Sequence, residues 1–221
     1  MNEGLNSAVL FNIGPFGITG TVVTSVGVTA CLAFAAIVFS TMLKLSPSRL
    51  QAALEGTAVA MEGAIAEVVP QHARRILPFV GTLWIFVLLA NLVGLIPGLH
   101  SPTRDLSATA ALAVLVFLST HWFGIRANGL KIYLRHYADP SIILLPFTII
   151  SEVTRTLALA IRLFGNIMSL EMAALLVLLI AGFLVPVPLL MLHVVEALVQ
   201  AYIFGMLALI YIAGALEIPE T

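Results

Sequence analysis

The chain has 221 residues, 61% of them hydrophobic and 10% charged, with a net charge of −1 and a mean hydropathy of +1.11. Soluble domains run nearer ~45–50% apolar and ~25% charged, so too few charges are present to cover a water-facing surface. An ordinary globular enzyme, a disordered chain and a disulfide scaffold are thereby excluded, and the near-neutral balance gives no footing for nucleic acid or an acidic substrate. The natural solvent is a lipid bilayer.

Met1-Asn2-Glu3-Gly4 lacks the basic start of a signal peptide, so the first hydrophobic stretch is expected to be retained. Spanning the ~30 Å hydrocarbon layer takes ~20 apolar residues in a helix. Five stretches qualify: Thr19–Leu43, Ile76–Pro97, Ser107–Ile125, Ser141–Ala181 and Val187–Leu216. Helices and closed barrels alone satisfy the backbone in lipid, and these unbroken apolar runs lack the alternation of barrel strands. The expected fold is all-α and polytopic. It divides into 1–45 (N-terminus and first span), 46–75 (an amphipathic segment) and 76–221 (four membrane helices). Cys31, the single cysteine, lies in the first apolar run and has no second thiol to pair with.

Between the first two spans, Ser46-Pro47 offers a capping hydroxyl followed by proline, a good helix start. Gln51, Glu55 and Glu62 follow at i, i+4 and i+11 on one helical face, among alanine and valine. This pattern fits an amphipathic helix at the membrane surface or in a shallow hairpin. A loop helix packed on a partner fits it equally.

Lys44, Arg49, Arg74, Arg75, Arg126, Lys131 and Arg135 all fall on one side if the first three spans alternate, against Arg104 alone on the other. By the positive-inside rule the N-terminus is outside and the basic loops are cytoplasmic. No Lys or Arg follows Arg162, so the C-terminus is cytoplasmic only if Ser141–Ala181 crosses once. That stretch as one helix is ~60 Å long, twice the hydrocarbon thickness. It is either two crossings or one steeply inclined helix. The second is favoured, because no turn signal interrupts it and Gly165-Asn166 is merely its weakest point.

The last two stretches carry Glu152, Arg155, Arg162, Glu171, His193 and Glu196, with the amides Asn166 and Gln200. Each charge at the bilayer centre costs at least ~2.5–3.5 kcal/mol, so a set of this size points to a wet path or a charge relay. At 100° per residue Arg155, Arg162, Asn166 and Ser169 form one stripe, while Glu171 falls on the opposite face about 13 Å further along. His193, Glu196 and Gln200 form a stripe on the last helix, continued by Tyr211. Guanidinium stays protonated even when desolvated, so Arg162 supplies a permanent positive charge; a buried ion pair that merely joins helices is the bland alternative. Histidine titrates near neutral pH and can relay protons with a partly buried glutamate. No metal is expected, since His193 and Glu196 give one pair where metal-binding bundles repeat Glu-x-x-His on two helices.

Leu159-Ala160-Ile161-Arg162-Leu163-Phe164-Gly165-Asn166-Ile167 and the later Val199-Gln200-Ala201-Tyr202-Ile203-Phe204 resemble subunit a of the rotary F-type ATP synthase. Pro102-Thr103-Arg104-Asp105-Leu106 is similar to that family's loop before its third span, and the likeness runs from about Ile76 to Ile212. The last two helices also resemble a bacterial variant branch in which some members are thought to move Na+.

The resemblance implies one upright span, a surface segment and a steeply tilted helix pair lying against a ring of c subunits. It also implies b-type peripheral stalk subunits, an indirect link to the F1 sector, a bacterial inner-membrane location, and no cofactor. By the same resemblance Arg162 is the essential arginine facing the ring carboxylates, with Gln200 and Asn166 as its amide neighbours. Glu171 and His193 line the half-channel open to the outside, with Asp105 and Glu196 along the same route. Arg155 stands near the cytoplasmic half-channel. Glu152 lies closer to the arginine than the family's usual acidic group, and Glu196 is an additional carboxylate.

The function so implied is that of a non-catalytic, ion-translocating stator subunit carrying H+, with Na+ as the alternative ion. A secondary transporter is the rival class. Inverted repeats and paired broken helices would mark it, whereas the ionisable groups here collect at one end of the chain.

Overall fold

The computed structural model describes residues 9–13, 16–42, 48–96, 99, 101–133, 145–181 and 186–216. It opens on a small antiparallel pair, β1 (Val9–Ile13) and β2 (Phe16–Thr19), in which Ile13 pairs with Phe16 and Val9 with Thr19. The sequence reading did not foresee this hairpin, although Gly14-Pro15 between two apolar runs is a turn signal. All the remaining elements are helical. They are α1 (Gly20–Met42), α2 (Arg49–Val68), α3 (Ala73–Val93), a 3-10 turn (Pro102–Arg104), α4 (Leu106–Asn128), α5 (Leu145–Ala181) and α6 (Pro186–Leu216). Among the described residues five helices are long and apolar enough to cross a membrane: α1, α3, α4, α5 and α6. The protein is an all-α polytopic membrane protein, as expected.

Ser48 caps α2, its hydroxyl accepting from the Gln51 amide at 3.3 Å. The expected start at Ser46-Pro47 lies outside the described residues. Helix α2 doubles back along α3: Ile65 shares a buried cluster with Ile76 and Val80, and Met61 faces Gly81. Leu209 and Ile212 of α6 complete that cluster. Within α2 Gln51 donates to Glu55 at 2.8 Å, and across the hairpin Arg74 donates to Glu62 at 3.0 Å. The segment thus packs on its own chain as a hairpin arm.

Helices α3 to α6 meet around Leu83, Val87, Ala113, Val116, Leu159, Ala160, Leu163, Ala201, Phe204 and Ala208. Lipid gives no hydrophobic drive between helices, so small residues at such interfaces matter because they let backbones approach. Gly205 is the extreme case, since a Cβ there would land inside the Trp84 indole, which donates to the Tyr202 carbonyl at 3.2 Å and stacks on the Tyr202 ring.

The stretch that admitted two readings is one helix. Its 37 residues run without interruption through Gly165-Asn166. At ~1.5 Å per residue α5 is about 55 Å long and fits a ~30 Å layer only if steeply inclined. Pro186 opens α6, where a missing amide proton costs nothing. The turn around Gly182 lies outside the described residues.

Candidate functional site

What α5 buries decides where its polar groups point. Leu159, Ala160, Leu163 and Ile167 are buried and form one stripe at i, i+1, i+4 and i+8. Arg162 lies about 115° away from the middle of that stripe, Asn166 about 75° and Glu171 about 65°. Burial follows the same order. Arg162 is exposed on the flank of the bundle, while Asn166 and Glu171 are partly covered. Ala158, Ile161, Ser169, Met172 and Leu176 share the exposed flank, so the guanidinium stands in a predominantly apolar face. Among the described residues Arg162 makes no ion pair.

One turn on, Asn166 donates to Gln200 Oε1 at 2.7 Å and so bridges α5 to α6. Gln200 is 1% exposed, and its amide nitrogen has no partner among the described residues. His193, two turns earlier on α6, is 4% exposed with its Nε2 likewise unpartnered. Glu196 is half-buried one turn beyond His193 and interacts with it electrostatically.

Nearer the N-terminal end of α5, Arg155 is held from two sides. Glu152 accepts from it one turn back, and the Tyr211 ring of α6 lies 4.5 Å below its guanidinium carbon. A cation over an aromatic face gains from the ring quadrupole, most of all where water is scarce. Tyr211 also senses Arg162 electrostatically.

Glu171 belongs to a different neighbourhood. Its Oε2 accepts from Arg104 at 3.2 Å, and its Oε1 is buried without a partner among the described residues. Among the described residues Glu171 and His193 form no direct ion pair. Asp105 is held by hydrogen bonds from two helices. One oxygen caps α4 through the amide and hydroxyl of Ser107 at 3.0 and 2.9 Å, and the other accepts from Thr21 of α1 at 3.0 Å.

The loop carrying Arg104 rests on buried hydroxyls that the sequence reading passed over. Ser101 donates to the Ala90 carbonyl at 2.8 Å and lies 2.6 Å from the Thr103 hydroxyl, which donates to Asn91 Oδ1 at 2.7 Å. Asn91 is fully buried with an unpartnered amide nitrogen. A buried amide within an apolar span is costly, and that was the signal available for it. Gly94 closes the corner: a Cβ there would come within 3.0 Å of Ser101 Cβ and 3.2 Å of Glu171 Oε1.

Chemically the arrangement offers, among the described residues, a cation without an ion pair on an apolar flank, a clamped carboxylate with its second oxygen buried some two turns away, and a partnered arginine on the other side. Glu171, His193 and Gln200 each bury a polar atom that has no partner among the described residues.

Comparison with known proteins gives these features a context. Residues 21–213 match the family described as ATP synthase A chain. The chain is 62% identical over 217 residues to ATP synthase subunit a 1 of Hahella chejuensis, covering 98% of this chain and 92% of that one. It is 61% identical over 211 residues to ATP synthase subunit a 2 of Pelobacter propionicus, covering 96% and 92%. To ATP synthase subunit a of Legionella pneumophila the identity is 56% over 221 residues, covering 99% and 95%. With matches spanning nearly its full length, the chain belongs to the ATP synthase A chain family, subunit a of the Fo sector of F-type ATP synthases.

Proposed function

We propose that this subunit passes H+ between two half-channels and the carboxylates of a c-subunit ring, with Arg162 as the fixed charge that separates them. The observation carrying this reading is the exposed Arg162 guanidinium, without an ion pair among the described residues, on an apolar flank of a membrane helix. A permanent cation in such a place is expensive unless an anion from outside the chain meets it. The c-ring carboxylates are that anion.

The N-terminus faces outside and the C-terminus the cytoplasm of a bacterial inner membrane. A proton enters on the outer side by Glu171 and moves inward past His193 and Glu196 to a ring carboxylate released from Arg162. Neutralised, that carboxylate tolerates lipid and rotates away. On returning it ionises toward the cytoplasmic side, near Arg155 and Glu152. Asn166 and Gln200 hold α5 and α6 in register beside the arginine. Each charge moved down 100 mV releases ~2.3 kcal/mol, so several are needed per ATP.

The test is Arg162→Ala in the complete synthase reconstituted in vesicles. ATP-driven ion uptake is expected to vanish while passive conduction through the membrane sector persists. Normal coupled synthesis in that variant would refute the reading.

A further inference from the structure

We infer that Arg104 is a positioning residue for Glu171, a stator-borne counter-ion that holds one carboxylate oxygen still so that the other faces inward to take the translocated ion. The inference rests on the function proposed above and deepens its outer half-channel. The geometry is asymmetric. Arg104 engages Glu171 Oε2 at 3.2 Å, whereas Oε1 is buried and has no partner among the described residues. The two side chains are 38% and 15% exposed, so the cation is on the wetter side and the carboxylate on the drier one.

The backbone beneath Arg104 is pinned on both sides. Its amide donates to the Ser101 carbonyl at 3.1 Å and that of Asp105 to the Pro102 carbonyl at 3.2 Å, closing the 3-10 turn. Upstream, Ser101 and Thr103 are anchored to the end of α3 through Ala90 and Asn91. Downstream, Asp105 is anchored to α4 and α1 through Ser107 and Thr21. Three helices therefore fix the backbone beneath this long side chain. On the carboxylate side Gly94 removes the one atom that would push Glu171 off its position.

Such an arrangement orients a carboxylate. Without the cation a mostly buried Glu171 would be an unpaired charge and would turn toward water, which withdraws its buried oxygen from its task. Lysine in place of arginine keeps the charge but loses the fork, so it restores the function in part.

The experiment compares R104Q, R104K, E171Q and the double variant R104Q/E171Q in complete complexes in vesicles. Proton conduction driven by a potassium diffusion potential is measured per assembled complex. Displacing a reacting group by an ångström costs up to ~100-fold, so R104Q is expected to conduct about tenfold less than the parent protein. R104K should recover most of that loss, and the double variant should conduct no worse than E171Q, because two residues acting through one contact are not additive. R104Q conducting like the parent, no recovery in R104K, effects that multiply, or failure of both Arg104 variants to assemble would each overturn the inference. Loss of coupling in Arg162→Ala alongside unaltered R104Q conduction overturns it while sparing the function proposed above. Normal coupling in Arg162→Ala overturns both.

Discussion

Two charged groups on one helix, Arg162 and Glu171, stand nine residues apart and are treated in opposite ways. Glu171 is turned toward the bundle and clamped by Arg104, beside a corner of buried hydroxyls and one amide. Arg162 is turned away, and among the described residues no carboxylate satisfies it. Arg155, seven residues before Arg162, has both a carboxylate and an aromatic ring. Among the described residues the chain thus neutralises an arginine at 155 and at 104, but not at 162. The function proposed above needs that difference. A charge partnered within its own subunit is structural, while one without such a partner can exchange partners with a moving ring.

The sharpest way to break this contrast is to give Arg162 a private partner. Asn166 lies one turn beyond it at i+4, within reach of the guanidinium, and its amide now serves Gln200. Asn166→Asp would place a carboxylate there. Separating a pair in a low-dielectric wall costs on the order of 3 kcal/mol. ATP-driven ion uptake should therefore fall about 100-fold, at unchanged levels of assembled complex. Uptake near the parent rate would mean that Arg162 does not exchange partners during turnover.

At the clamped end the equivalent disturbance is Gly94→Ala. The added methyl would come within 3.0 Å of Ser101 Cβ and 3.2 Å of Glu171 Oε1, tighter than ordinary contact. Overpacking of this kind typically costs about 1–3 kcal/mol. Part of that strain should appear as a severalfold loss of passive conduction, since Glu171 is one of the two atoms' owners that must yield. A variant less stable but equally conductive would detach Gly94 from the carboxylate.

The contrast was half legible in the sequence. Spacing alone placed Arg162 and Glu171 on opposite faces of α5, because a single helix obeys its own period. Single-helix arithmetic could not say that Glu171 meets Arg104 rather than His193. That pairing spans 67 positions and depends on how the turn at Pro102–Arg104 packs against α3 and α5. Asn91, Ser101 and Thr103 were passed over because each is uncharged and unremarkable alone; together they form the anchor. Asp105 carried a readable local signal, an acidic residue at a helix start two positions before serine, and its capping bond follows from that. Tyr211 was placed on the polar stripe of α6, but its contact with Arg155 needed the crossing of two helices. The β-hairpin before α1 was missed because long apolar runs drew attention to membrane-length segments alone.

The smallest expected effect tests how far the outer clamp extends. Thr21 is the point at which α1 touches the Asp105 carboxylate, through one hydrogen bond of 3.0 Å. Thr21→Val keeps the shape and removes the donor, and Asp105 retains its bonds to Ser107. A single hydrogen bond to a charged group is worth about 1.5–3 kcal/mol when its partner is left buried, and less here because Asp105 is only partly covered, so about 1 kcal/mol is expected. Heat inactivation of the detergent-solubilised complex should begin a few degrees earlier, at roughly 2–4 °C per kcal/mol for a chain of this length. Ion conduction at room temperature should stay within about twofold of the parent, because the loop remains pinned to α3 and α4. A large conduction loss in Thr21→Val would instead place α1 inside the machinery that positions Arg104, and would move the boundary of the clamp from the four-helix core out to the first span.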